Sequence, residues 1–395
     1  LALGVLVGIR WWGSDDGDSW VYEQTGTRDV LGNGWAMTLV TDGEVVCGST
    51  PGSIGRTEGQ LFCLDPVTGK ERFRAQLGIA VTPLTLVDGT VLVWTTERPE
   101  GSGELRAYSL DGDQRWAVPL NGLPPALPHR IRLPVAGDGV LAAIDRRGDG
   151  APRELVGVDV STGEERWRVS DPDHPMAFDL YVFGDGERFY ATRAGEVGHR
   201  IVAVDPASGS ELWRSAPVSQ TVGVTINAAV AFEDGTAMAF AISGANSKLV
   251  VLEAATGRLL WDADVLFDPT QTRSSLAHVD DVTVVISDDG EMTGYDRAGT
   301  QLWTRSVDES DQHSLIVQDG VLYHAGPGLS TVDPRSGVSQ VILEGGTLEA
   351  GAVVETSDGG IARDLGDVVV VGDRLVVGGL SPVEGFRLDD LQGAG

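Results

Sequence analysis

Six histidines and two cysteines are the side chains in this sequence best suited to hold a metal or attack a substrate, and their spacing favours neither. His129, His174, His199, His278, His313 and His324 occur one at a time, without the H-x-x-x-H or C-x-x-C spacing that puts two ligands within reach of one ion. Each reads as a loop or surface residue. Cys47 and Cys63 stand sixteen apart. The acidic stretches "DRRGDG" (145–150) and "SDDGDS" (14–19) lack the D-x-[DN]-x-[DN]-G order and closing Glu of a calcium loop. There is no G-x-S-x-G elbow and no P-loop. These observations point to a chain without catalytic residues, cofactor or metal.

What does recur is an acid, a glycine and an aromatic. "DPVTGKERF" (65–73), "LDGDQRW" (110–116), "DVSTGEERW" (159–167), "DPASGSELW" (205–213), "EAATGRLLW" (253–261) and "DRAGTQLW" (296–303) each place an aromatic four residues after a glycine: Phe73, Trp116, Trp167, Trp213, Trp261 and Trp303. A seventh copy, "DPRSGVSQV" (333–341), keeps Asp333 and Gly337 and carries Val341 in the aromatic slot. The glycines Gly69, Gly112, Gly163, Gly209, Gly257, Gly299 and Gly337 are 43, 51, 46, 48, 42 and 38 apart. That is the spacing of propeller blades.

The elements that hold these residues follow from the intervening pattern. Short Val, Ile and Leu runs alternate with turns rich in the 53 glycines, and no long 3.6-residue period occurs. Upstream in each unit stands Asp42-Gly43, Asp88-Gly89, Asp138-Gly139, Asp185-Gly186, Asp234-Gly235 or Asp319-Gly320, with Asp280-Asp281 in the sixth. Such dipeptides between apolar runs predict tight hairpins whose central residues take positive φ. Each unit is then four antiparallel strands, A to D from the axis outward. In the last, "DVVVVGDRLVVGG" and "GFRLDD" supply A, B and C, and the fourth comes from "SWVYEQTG" (19–26), with Trp20 as its aromatic. The 372 residues from Ser19 to Asp390 make eight units of 46.5. The expected fold is an all-β, eight-bladed propeller over residues 19–395, its last blade closed by the N-terminal strand. Each outer aromatic should lie across the glycine turn of the next blade, burying area between sheets that share no ladder bonds.

The acid, Thr or Ser, Gly and following Trp resemble the tryptophan-docking motif of pyrroloquinoline-quinone-type propellers, over nearly the whole chain after residue 18. That superfamily includes quinoprotein alcohol dehydrogenases, BamB-like outer-membrane assembly proteins and extracellular propellers joined through one membrane span to receptor kinases. The resemblance implies fold more firmly than function, and the non-catalytic, BamB-like members match best in length. A dehydrogenase of this superfamily would be expected to carry calcium, an Asp base and, in many members, adjacent cysteines. Cys47 and Cys63 are not adjacent.

Charge and the N-terminus bear on location. The 58 acidic residues against 29 basic ones give a net charge of −29, which repels nucleic acid and anionic lipid. "LALGVLVGIRWW" (1–12) has nine apolar residues before Arg10 and reads as the outer end of a signal anchor or transmembrane helix, with Trp11 and Trp12 at the interface. A signal-peptide remnant or a buried strand is the alternative. Residues 13–18 are a polar linker, and the ring then lies outside the cytoplasm, held to the membrane only by this segment. There Cys47 and Cys63, near the ends of paired strands B and C, are expected to form a disulfide.

The turns between A and B and between C and D share one rim and are short. Connections on the other rim vary widely, including 48–59, 95–103, 118–132, 145–153 and 343–364. Rigid strands carrying variable loops make that rim the candidate binding face. Arg130, Arg132, Arg146, Arg147 and Arg153 fall on it in neighbouring blades and fit an envelope protein's carboxylates or an anionic cell-surface polymer. The expected function is a non-catalytic binding scaffold, a monomeric ring within a larger assembly. The alternatives are a receptor kinase's sensor domain and a quinone-dependent dehydrogenase.

Overall fold

The computed structural model describes residues 11–13, 19–22, 38–50, 59–77, 80–96, 103–120, 134–137, 139–145, 153–170, 178–195, 198–218, 225–232, 234–243, 247–267, 275–307, 313–318, 320–326, 329–343, 352–355, 361–364, 368–371, 374–378 and 383–387. Every element among them is a β-strand. Seven four-stranded antiparallel sheets, each a simple meander, follow one another along the chain and are numbered 1 to 7 here; they span 38–76, 80–120, 135–169, 178–214, 225–264, 275–306 and 314–343. The architecture is propeller-like.

The middle strands of these sheets are nearly continuous apolar runs because a sheet lies against each of their faces. Val140–Asp145 is buried along its whole length. One face of sheet 3 packs Leu141, Ala143, Val156 and Val158 on Leu92, Trp94 and Leu105 of sheet 2. Its other face packs Ala142, Ile144 and Leu155 on Phe189, Ala191 and Val202 of sheet 4. Outer strands are buried on one face only, as in Glu165–Val169, where Trp167 is buried between exposed Arg166 and half-buried Arg168.

A five-stranded sheet contains Val368–Val371, Arg374–Gly378, Val383–Arg387, Ser19–Tyr22 and Trp11–Gly13, in that order. Ser19 lies opposite Phe386 and Tyr22 opposite Val383. Its first strand, Val368–Val371, sits beside both Ser314–Gln318 of sheet 7 and Thr38–Thr41 of sheet 1. Trp11–Gly13 adds an edge strand in a stretch expected to end the anchor and begin the linker, with Trp12 opposite Val21. The long connection after sheet 7 also contains an unexpected hairpin, Ala352–Glu355 with Ile361–Asp364.

The expected geometry of the Asp-Gly turns needs one correction. Both turn residues take positive φ at Asp88-Gly89, but at Asp42, Asp185 and Asp234 only the glycine does. There the carboxylate shapes the turn by accepting backbone N–H bonds. Asp185 Oδ1 takes those of Glu187 and Arg188 at 2.8 and 2.6 Å, leaving the aspartate in ordinary backbone space.

Cys47 lies directly opposite Cys63 on neighbouring strands of sheet 1, and the two form a disulfide with Cα atoms 4.0 Å apart. Both are fully buried, in the core shared with sheet 2. Reduction, or replacing both by alanine, is expected to lower the unfolding free energy by about 3 kcal/mol, as opening a loop of this length does. Coincident urea midpoints for oxidised and reduced protein would contradict that.

Candidate functional site

The recurrent acid builds the short-turn rim. Asp159 Oδ1 accepts the backbone N–H of Ser161 and Thr162 at 2.8 and 3.0 Å, and its Oδ2 accepts Arg166 Nε at 2.9 Å. The Ser161 hydroxyl first, then Arg166 and the turn amides, hold this carboxyl far below the usual range against the opposing effect of burial. Asp205 repeats the arrangement with Ser208, and Asp333 with Ser336. Carboxylates committed to their own turns are scaffold, and they hold the following glycine at positive φ, between 66° and 83° at Gly69, Gly163, Gly209, Gly257, Gly299 and Gly337.

That glycine receives the aromatic of the preceding sheet. A Cβ on Gly257 would fall 2.2 Å from Trp213, and one on Gly209 would fall 2.6 Å from Trp167. Trp116 lies on Gly163, Trp261 on Gly299, Trp303 on Gly337 and Phe73 on Gly112 in the same way. Each indole N–H also donates to the carbonyl of the residue after the next sheet's acid: Trp116 to Val160 at 2.8 Å, Trp167 to Pro206 at 2.6 Å, Trp213 to Ala254 at 2.8 Å, Trp261 to Arg297 at 3.1 Å and Trp303 to Pro334 at 2.8 Å. Six joints between sheets therefore share one lock, the ring-on-glycine contact, to which the five with tryptophan add the hydrogen bond. The Trp20 side chain lies outside the described residues.

Two parts of this lock were not anticipated. Every sheet carrying the aromatic has a β-bulge at the residue just before it, so that Glu211 faces Val204 while Trp213 faces Ala203. The skipped residue, Leu212 here and Arg166 in sheet 3, stays exposed, and the bulge turns the ring towards the next sheet. The residue opposite the ring is also small in several sheets. A Cβ on Gly157 would fall 2.2 Å from Trp167, and one on Gly294 would fall 2.5 Å from Trp303. Gly157 and Gly294 stand two residues before Asp159 and Asp296, a spacing that could have disclosed them.

On the opposite rim, Arg153 is half-buried just before strand Glu154–Asp159. Arg130, Arg132, Arg146 and Arg147 lie outside the described residues. Close by, Asp145 and Glu154 face each other in register, and Arg168 Nη1 bridges them at 2.8 and 2.7 Å while its Nη2 meets Glu165 at 2.6 Å. Burial opposes the charge on Arg168, but the hydrogen bonds to Glu165, Asp145 and Glu154 outweigh it and raise its pKa. Three carboxylates from three strands of sheet 3 thus meet on one guanidinium.

His278 and His313 correct the expectation of loop or surface positions, while His129 and His174 lie outside the described residues. His278 is buried and stacks on Phe232 with ring centres 3.6 Å apart. His313, also buried, shares a hydrogen bond with His324, Nδ1 to Nε2 at 3.0 Å. Burial, then His313 and Arg305, lower the pKa of His324 from 6.5 to about 3. The unfolded chain takes up this proton below 6.5 and the folded chain only near 3, so the stability this group contributes is present above 6.5 and lost as pH falls towards 3. His324→Gln is expected to flatten the acid slope of the urea midpoint over that window. An unchanged slope would show that His324 is protonated without penalty.

Among the described residues no three His, Cys, Asp or Glu side chains are grouped as metal ligands would be. Known proteins resemble the chain over different extents. The outer membrane protein assembly factor BamB of Nitrosomonas eutropha is 26% identical over 214 residues, 52% of this chain and 47% of that protein, so the match spans about half of each. The crystal structure of BamB from Moraxella catarrhalis superposes with a TM-score of 0.54 at 17% identity, covering 89% of this chain and 98% of that one. A quinohemoprotein alcohol dehydrogenase from Pseudomonas putida HK5 gives a TM-score of 0.55 at 11% identity, with 90% and 74% covered. At such identities the two structures speak to fold alone. The sequence model of the family described as outer membrane protein assembly factor BamB matches residues 11–177 and 197–388, and the chain belongs to that family.

Proposed function

We propose that this protein is a non-catalytic scaffold of the cell envelope, an extracytoplasmic propeller held to the membrane by an N-terminal anchor and bound to an envelope protein. The family match over both halves of the chain carries this reading, because it joins the sequence to a family named for assembly. The Cys47–Cys63 disulfide supports an oxidising compartment. The repeated acids and indoles are spent on turns and joints, as a scaffold requires.

The ring in this reading has eight blades, the last completed by the N-terminal strand. Pairing of Ser19–Tyr22 with Val383–Arg387, and the position of Val368–Val371 between sheets 7 and 1, support it. Pairing of Trp11–Gly13 within the same sheet supports an anchor that stops short of Trp11 in this reading. The partner-binding face is the long-connection rim, with Arg130, Arg132, Arg146, Arg147 and Arg153 meeting acidic groups.

Cross-linking from the native envelope tests both halves of the proposal. Wild type is expected to capture a protein partner, and a variant with Arg130, Arg132, Arg146 and Arg147 changed to alanine should lose at least about 2 kcal/mol of binding at an unchanged melting temperature. Equal capture by the variant, or cross-links gathered near Gly163 and Gly209, would move the binding face to the other rim.

A further inference from the structure

Sheets 3 and 4 carry opposite charges at the same place in the repeat. Counted from the turn acids Asp159 and Asp205, Glu154 of sheet 3 corresponds to Arg200 of sheet 4, each five residues before its acid. Asp145 lies opposite Glu154 on the neighbouring strand, and Arg193 lies opposite Arg200. On the outer strands Glu165 and Arg168 correspond to Glu211 and Arg214, six and nine residues after the acid. The glutamate holds the arginine alike in both sheets, with Arg168 Nη2 at 2.6 Å from Glu165 and Arg214 Nη2 at 2.7 Å from Glu211.

In sheet 3 the facing pair is two carboxylates, and Arg168 Nη1 joins them. In sheet 4 it is two guanidiniums, and like charges directly opposite across a strand pair repel. Glu211 reaches Arg193 at 3.1 Å. Arg200 forms no ion pair among the described residues and donates Nη1 to the Ser215 carbonyl at 2.8 Å. Both arginines are half-buried, two residues from the end of their hairpin at Gly195 and Gly198, on the long-connection rim. By alternation they lie on the face that packs Ala191 and Val202 on sheet 3. Arg153 stands on the same rim of sheet 3, two residues before Leu155, which packs on that face.

We propose that Arg193 and Arg200 receive a carboxylate from an acidic segment of a protein partner, an Asp or Glu side chain that bridges them as Arg168 bridges Asp145 and Glu154. This site rests on the scaffold reading above and adds a carboxylate-binding pair to its long-connection rim. A guanidinium has five donors, and the bond to Ser215 occupies one of those on Arg200. The remaining fork matches a carboxylate. Half-burial shields the contact from salt more than full exposure would. The repulsion between the facing arginines is a cost to the free fold that a bound anion relieves. With a net charge of −29, the rest of the molecule repels an acidic segment, so attraction is confined to such a place.

Acetyl-Glu-Asp-Glu-amide and its neutral counterpart acetyl-Gln-Asn-Gln-amide, titrated by NMR into the full chain, test this. At low ionic strength the acidic peptide is expected to bind at least about tenfold more tightly, with shifts gathered in residues 189–204 and 211–215. High salt should weaken that preference. Arg200→Gln should abolish it while holding or raising the urea midpoint, because a like-charge contact is removed; Arg193→Gln provides a second block. A purely structural pair would do the reverse, its loss lowering the midpoint and leaving the peptide affinities unchanged. Equal affinity for the two peptides, a preference that survives both substitutions, or inorganic phosphate binding as tightly as the acidic peptide at the same ionic strength overturns the proposal. If the preference is absent while an envelope partner is still captured, the carboxylate site fails alone. If it is present and no partner is captured, the scaffold reading fails and the site stands.

Discussion

Trp213→Ala is expected to lower the unfolding free energy by about 3–5 kcal/mol, the cost of emptying a well-packed aromatic site. The ring is 9% exposed, held between Ala203 of its own sheet and Gly257 of the next, and its N–H is hydrogen-bonded to Ala254 at 2.8 Å. Trp213→Phe retains most of the apolar area and gives up that hydrogen bond, so it should cost about 1 kcal/mol. Gly257→Ala attacks the same contact from the other side. The glycine has φ +69°, and an added Cβ would sit 2.2 Å from the indole. Because both single changes break one contact, the double variant should cost less than their sum. Urea midpoints for the cycle decide the matter: a loss below about 1 kcal/mol for Trp213→Ala, or full additivity, would mean that the ring is not the joint's main support.

The reach of the sequence follows from how local each feature is. An acid, a glycine and an aromatic four residues later are fixed by one turn and the strand leaving it, so the repeat could be read without knowing any neighbour. Pairing of Cys47 with Cys63 followed from two adjacent strands in the same unit. The bulge that aims Trp213 was hidden because it depends on register, and Leu212 between two strand residues looks like ordinary alternation. The buried histidines were missed for a related reason. His313 and His324 stand eleven apart with no motif between them, and only the pairing of Leu315 with His324 brings the rings together. The acidic network around Arg168 joins Asp145 to Glu154 across a connection of variable length, so sequence spacing carried no signal of it. Of the candidate binding arginines only Arg153 lies among the described residues, and the case for that rim still rests on loop variability.

Deleting residues 1–28 is expected to damage the fold more than any single substitution. The deletion removes Ser19–Tyr22 from the interior of the five-stranded sheet, together with Trp11–Gly13 at its edge. It leaves Val383–Arg387 with unpaired N–H and C=O groups along a new open edge, which invites pairing with other copies of the chain. The affected sheet also borders the joint where Val341 stands in place of an aromatic, so sheet 7 has no lock of its own to compensate. In a ring each sheet is supported by two neighbours, and loosening one exposes both adjoining faces. The truncated protein should therefore melt well below the full chain or aggregate on purification, with hydrogen exchange rising first in residues 314–343 and 368–387. Adding the missing segment back as a separate peptide should restore protection to those residues. Melting at the same temperature as the full chain would show that the N-terminal strand adds nothing to the ring, and the eight-blade count would fall with it.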